Sequence, residues 1–265
     1  YPYQEEHSDS NIQLCYAEST DGITWSKPNL GITGFNGTED TNIIFSPEMH
    51  PDGNGLHGSN IFKDPSAPAS ARYKLTYMGR ADNGQNVVHG AISRDGINWN
   101  LLDDPLLMEN ADSQTTIAWS EEKNCYVGYF RHWENGRRHI TYSESDNFEK
   151  WPSSTFLIGA EAFLEPSTDY YTNGYNKWPE APNAHLMFPT MYYRGTDEFP
   201  GDHLSVSLGF SRGGLNWQFP LDEPFIPLGG TGTGREGMVF AGSGIVELPN
   251  KSIAIPLGCC PYTHN

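Results

Sequence analysis

The chain of 265 residues carries 16 Lys and Arg against 33 Asp and Glu, a formal charge of −17. That balance argues against nucleic acid as a partner, because phosphate backbones are held by basic surfaces. The longest apolar stretches fall far short of the ~20 residues of a membrane span, and 28 Gly, 19 Pro, 13 Phe, 14 Tyr and 7 Trp favour short strands and tight turns over helices.

Taken in chain order, the predicted elements repeat. Residues 12–25 read as a hairpin whose turn is Ser19-Thr-Asp-Gly-Ile-Thr-Trp25. Runs at 58–62 and 73–78 form a strand pair, followed by 88–92 and a second copy of the turn, Ser93-Arg-Asp-Gly-Ile-Asn-Trp99. The next unit has 115–119, 126–130 and 139–142, then a degenerate copy, Ser143-Glu-Ser-Asp-Asn-Phe-Glu-Lys-Trp151. A further unit has 174–178, 186–193 and 206–210, closed by Ser211-Arg-Gly-Gly-Leu-Asn-Trp217. Last come 238–246 and 253–255. Asp-Gly after a strand and before a Trp is a hairpin turn; Ser and Asp can bond its own amides, and the Trp can pack between sheets. Copies start 74, 50 and 68 residues apart, against the ~40–50 residues of a four-stranded propeller blade, so long loops are expected.

Two hairpins per unit make a four-stranded meander, and several such sheets around an axis make a β-propeller. The expectation is one all-β propeller domain over 1–265. Five blades are favoured, with strands missing at both ends, because Tyr1-Pro2-Tyr3 reads as the tail of an interrupted strand. The alternative is a four-bladed ring closed by joining the first and last hairpins.

Innermost strands line the central channel, and the residues just before them occupy one rim. These are His57, Asp112, Asp169 and Glu236. The second strand of each unit returns to that rim and ends in Arg80, Arg131 or Arg194, 23, 19 and 25 residues after His57, Asp112 and Asp169. One asymmetric cluster of acids, His and Arg is therefore expected on one face. Asp112, Asp169 and Glu236 are the catalytic candidates, and His57, Arg80, Arg131 and Arg194 the substrate-binding ones. Glycosidic cleavage suits such a set: one carboxyl donates a proton, another stays ionised beside Arg as base or nucleophile. The Arg set could also grip a uronate or sulfate. Among Trp119, Trp133, Tyr170, Tyr171, Tyr175 and Trp178, Trp133 and Tyr171 are the expected sugar platforms, while Trp119 is read as blade packing.

The placement of acids resembles the five-bladed propeller glycoside hydrolases around families 32, 43, 62, 68, 117 and 130, over about residues 12–257. Leu14-Cys-Tyr-Ala-Glu-Ser-Thr-Asp-Gly-Ile-Thr-Trp25 and Phe62-Lys-Asp-Pro65 through Tyr73-Lys-Leu75 resemble bacterial family-32-like proteins. The resemblance implies that three acids at inner-strand starts act as base or nucleophile, modulator and general acid, and Asp112, Asp169 and Glu236 match by position. The W-x-N-D-P-N-G and E-C-P motifs of family 32 are absent. Asp64 in Phe-Lys-Asp-Pro resembles that family's R-D-P but is read as a turn residue. The turn motif also resembles sialidases, which are six-bladed and too long for this chain.

Gly229-Gly-Thr-Gly-Thr-Gly234 lacks the Lys-Ser/Thr ending and following helix of a nucleotide loop, and reads as a tight turn before Glu236. The four cysteines, Cys15, Cys125, Cys259 and Cys260, form no C-x-x-C pair, so neither a zinc site nor a disulfide framework is implied. No metal site or cofactor is required, although Ca²⁺ in the axial channel would suit oxygen ligands. The leading expectation is a glycoside hydrolase on a plant or algal poly- or oligosaccharide, with carbohydrate as partner and no protein partner implied. It would be secreted or periplasmic, although no signal peptide is visible. The alternatives are a non-catalytic carbohydrate-binding propeller and a glycoside phosphorylase on the same fold.

Overall fold

The structure, a computed structural model, describes residues 12–50, 56–160 and 165–264; the strand expected at Tyr1 to Tyr3 lies outside them. The architecture is all-β. A short N-terminal sheet pairs β1 (Leu14–Cys15) with β2 (Ile43–Phe45). Two complete antiparallel meanders follow, β3 (His57–Lys63), β4 (Tyr73–Arg80), β5 (Asn86–Ser93) and β6 (Trp99–Leu101), then β7 (Thr116–Ser120), β8 (Cys125–Glu134), β9 (Arg137–Ser145) and β10 (Thr155–Ile158).

The third meander is bent, and its long strands are each split in two. One half pairs β11 (Thr168–Tyr170) with β14 (Thr190–Tyr193) and β15 (His203–Val206). The other pairs β12 (Tyr175–Lys177), β13 (Ala184–Met187), β16 (Gly209–Arg212) and β17 (Trp217–Gln218). The bend falls at Gly174 and Pro189. Gly174 has φ +55°, and a Cβ there would stand 2.3 Å from the Phe188 carbonyl oxygen, so only glycine lets the strands cross so closely. The last hairpin pairs β18 (Met238–Ala241) with β21 (Leu257–Cys260), and β19 (Val246–Glu247) with β20 (Ile253–Ala254).

The last hairpin departs from expectation. Met238 makes a parallel bridge to Leu204 of β15, so β18 starts beside the third sheet and reaches the axis only further on, where Ile245 N donates to Asn176 Oδ1 at 2.9 Å. At the other end of the chain, Gly22 lies against Leu248, so the first turn and the last hairpin meet.

Apolar side chains fill the spaces between neighbouring sheets. Val88 and Leu106 of the first meander pack on Ile117, Phe130 and Trp151 of the second. Tyr129, Ile140 and Tyr142 of the second pack on Tyr170, Tyr175 and Met187 of the third. Tyr170 and Tyr175 are thus core residues, at 2% and 1% exposure, rather than rim aromatics.

Neutral amides tie the axis together. Asn60 Oδ1 accepts Ile117 N at 3.4 Å, Gln114 Oε1 accepts Gly174 N at 3.2 Å, and Asn173 Nδ2 donates to the Gln114 carbonyl at 2.8 Å.

The repeated turn is structural. In its first two copies Asp21 and Asp95 accept the amides two and three residues on, and Ser19 and Ser93 accept those of Gly22 and Gly96. For Asp95 the Asn98 side-chain amide, which donates to Oδ2 at 2.9 Å, adds the largest effect, and with these bonds both carboxylates lie below the usual range, Asp21 at about 2. The degenerate copy slides by two, with Ser145 and Asn147 in the Ser and Asp places. Trp151 and Trp217 pack inward as expected, whereas Trp25 is 59% exposed.

Candidate active site at the inner-strand rim

Three of the seven rim residues meet where β3 and β7 begin. His57 Nε2 stands 3.6 Å from Asp112 Oδ1, and the Arg131 guanidinium bonds Asp112 Oδ2. Gly58 permits the approach: its φ is +61°, and a Cβ would stand 2.5 Å from Ser113 Cβ. Ser113 N donates to Asp112 Oδ1 at 2.6 Å. Burial works to raise the Asp112 pKa, but the His57 bond, the Arg131 charge and the Ser113 amide outweigh it and hold the carboxyl well below its usual range. Its side chain remains 29% exposed. The result is a carboxylate held ionised at neutral pH, partly open to solvent, beside an imidazole.

Alternation along β8 puts Arg131 and Trp133 on one face. The two-residue turn Asn135-Gly136, with φ +52° and +74°, returns the chain so that Arg138 stands opposite Trp133. The Arg138 guanidinium lies 4.2 Å over the Trp133 ring and 4.3 Å over Tyr192. Arg131 lies 4.7 Å over Tyr171 and donates to its carbonyl at 3.0 Å. Tyr171 also stacks on Tyr192 at 5.6 Å and bonds His264 through its hydroxyl at 3.0 Å. Tyr171, half-buried, thus packs against both arginines and Tyr192 and has less open ring than expected of a sugar platform. Trp133, 39% exposed, is the open ring.

Asp169 meets Arg194 as expected, but its side chain is wholly buried. Arg194 Nη2 lies 2.7 Å from Oδ2, Arg137 Nε 3.0 Å from Oδ1 and Arg138 Nη1 3.2 Å from Oδ2. Arg137 and Arg138 were not singled out from sequence. The Asn135-Gly136 turn signal, which returns β9 to the rim, was the available clue.

Glu236 and Arg80 do not join the cluster. Asp169, Tyr192, Leu204 and Met238 are cross-strand neighbours, so Met238 lies about three strand spacings, roughly 14 Å, from Asp169, with Glu236 two residues before it. The Glu236 carboxylate turns into its own glycine loop, where Gly232 N donates to Oε1. Burial acts to raise its pKa, but the amides of Glu236 and residues 232–234 prevail and lower it. The loop is the tight turn expected, with Gly232 and Gly234 at φ +86° and +74°. Arg80 lines a separate cavity of about 600 Å³ with His50, His89 and Asp103, because β4 ends beside the N-terminal sheet.

Trp119 packs edge-on to Tyr126 at 5.0 Å, yet with Trp178 it also lines a cavity at the other ends of the inner strands. Asp64 is a turn residue, accepting Ser66 N at 2.9 Å. It is also a buried hub that takes the Tyr126 hydroxyl at 2.7 Å and stands 3.8 Å from Lys74 Nζ.

No family model matches the chain, and no curated protein matches it. Solved structures do. An endo-arabinase from Bacteroides thetaiotaomicron VPI-5482 superposes with a TM-score of 0.65 at 11% identity, over 96% of this chain and 83% of that one. A thermostable family-43 glycoside hydrolase gives 0.61 at 14%, over 97% and 80%. An N-acetylgalactosamine deacetylase from F. plautii gives 0.60 at 14%, over 84% and 64%. The chain therefore has the all-β propeller fold found in glycoside hydrolases of the family-43 kind.

Proposed function

We propose that this chain is a glycoside hydrolase acting on a plant or algal poly- or oligosaccharide, with the rim at His57, Asp112 and Arg131 as its active centre. The observation that carries the reading is the Asp112 carboxylate, ionised by Arg131 and His57 yet open to solvent, at the start of an inner strand of this fold. Such a group serves as base or nucleophile at an oxocarbenium-like centre. His57 is the imidazole that faces this carboxylate, with Nε2 3.6 Å from Asp112 Oδ1. Trp133 offers the sugar an exposed ring, held flat by Arg138. Asp169, enclosed by three guanidiniums, is a positioning residue that fixes Arg138. Glu236, the acid named by position, would donate a proton only after its loop releases it.

A second reading is a carbohydrate-binding propeller without turnover. It is favoured by the enclosure of Asp169 and the separation of Glu236, which leave Asp112 as the open carboxylate of the three candidates. The experiment is release of reducing sugar from arabinan, xylan and fructan, with and without phosphate, by the wild type and Asp112→Asn. Hydrolysis predicts phosphate-independent release that falls by about 10²–10⁴-fold in the variant. Turnover that requires phosphate would mean a phosphorylase, and binding without release would leave the second reading standing.

A further inference from the structure

The inner strands leave a second opening at the ends away from His57 and Asp112. His57 and Lys63 mark the two ends of β3, at most about 20 Å apart. A cavity of about 530 Å³ opens on that side, lined by the second half of β3, by Thr116 to Trp119 of β7, by β12 and by Gly244. That volume lies within the roughly 300–1,000 Å³ of small-molecule sites.

Two features define its chemistry. The first is aromatic: Trp119 and Trp178 line the wall, and Trp178 is 44% exposed. The Trp178 backbone is pinned by a tight turn, its N donating to Ala184 O at 2.9 Å and its carbonyl accepting Ala181 N at 3.3 Å. An exposed ring on a fixed turn gives up little freedom when it is covered. The second is charge. Lys63 and Lys177 are matched by Glu121 and Glu180, so the mouth is formally neutral in a chain of charge −17. A neutral mouth with paired donors and acceptors selects neither anions nor cations. It suits an uncharged ligand with an apolar face and a rim of hydroxyls.

We infer that this far mouth of the axial channel is a second carbohydrate-binding site, taking an uncharged sugar unit of an oligosaccharide against Trp178. It uses none of the residues of the proposed active centre. A polymer anchored there would be held to the enzyme while another stretch meets the rim.

The test is calorimetric titration of neutral arabino-, xylo- and fructo-oligosaccharides into the Asp112→Asn protein, with and without Trp178→Ala. At least one should bind, and Trp178→Ala should remove one binding site or weaken it about tenfold. Trp178→Phe should restore part of the loss, and the thermal midpoint should stay unchanged because the ring is exposed. Failure of all three saccharides to bind, or an unchanged affinity and stoichiometry in Trp178→Ala, overturns the inference. Absent turnover in the wild type would instead sink the hydrolase reading, which this titration does not measure.

Discussion

Replacing Asp169 by Asn keeps the shape of the side chain and removes its charge. The carboxylate is wholly buried and faces Arg137, Arg138 and Arg194, whose side chains are 14%, 12% and 36% exposed. Removing one partner of a buried ion pair costs about 3–5 kcal/mol. Because all three guanidiniums keep some contact with water, the low end applies, about 3 kcal/mol. For a chain of this size each kcal/mol moves the melting temperature by about 2–4 °C, so Asp169→Asn should melt about 6–12 °C below the wild type. Differential scanning calorimetry at neutral pH reads this directly. A midpoint within about 2 °C of the wild type would refute the argument and mean that Asp169 is reachable by solvent, and so free to act as a catalytic carboxylate after all.

Arg131→Met should raise the Asp112 pKa, since it removes a neighbouring positive charge. The acid limb of the pH–rate profile should therefore move to higher pH, and an unmoved limb would separate Asp112 from the rate. Asp21, Asp95 and Asp112 all have depressed pKa values, so each contributes stability that is present above the ordinary carboxylate range, near pH 4, and lost as pH falls through the lower folded value. Melting temperature should accordingly drop between about pH 4 and pH 2, and Asp95→Ala should shrink that drop while costing about 1 kcal/mol at neutral pH through the lost turn bonds.

The fold was legible because its signals are local. Ser, Asp and Gly at fixed offsets make a turn wherever they occur, and alternation marks the strands on either side. The rim was legible in part for the same reason: strand starts and strand ends recur, which placed Asp112 with Arg131 and Asp169 with Arg194. What sequence could not supply was the path of the chain between units. Glu236 precedes a strand as Asp112 does, yet β18 begins alongside β15, and nothing in Met238-Val-Phe240 distinguishes that start from an axial one. Burial was equally hidden. Tyr171 and Trp133 are both aromatic residues near the rim, but only the three-dimensional stack shows that the first packs on Arg131 and Tyr192 while the second is the more exposed.

The amides at the axis bear on what acid does to the ring. Asn60, Gln114, Asn173 and Asn176 join neighbouring inner strands through groups that do not titrate. At the rim, Asp112 is held instead by Arg131 and His57 through a carboxylate that does titrate. Falling pH should therefore act on one end of the molecule first: the Asp112 clasp loosens while the neutral amides still join the inner strands.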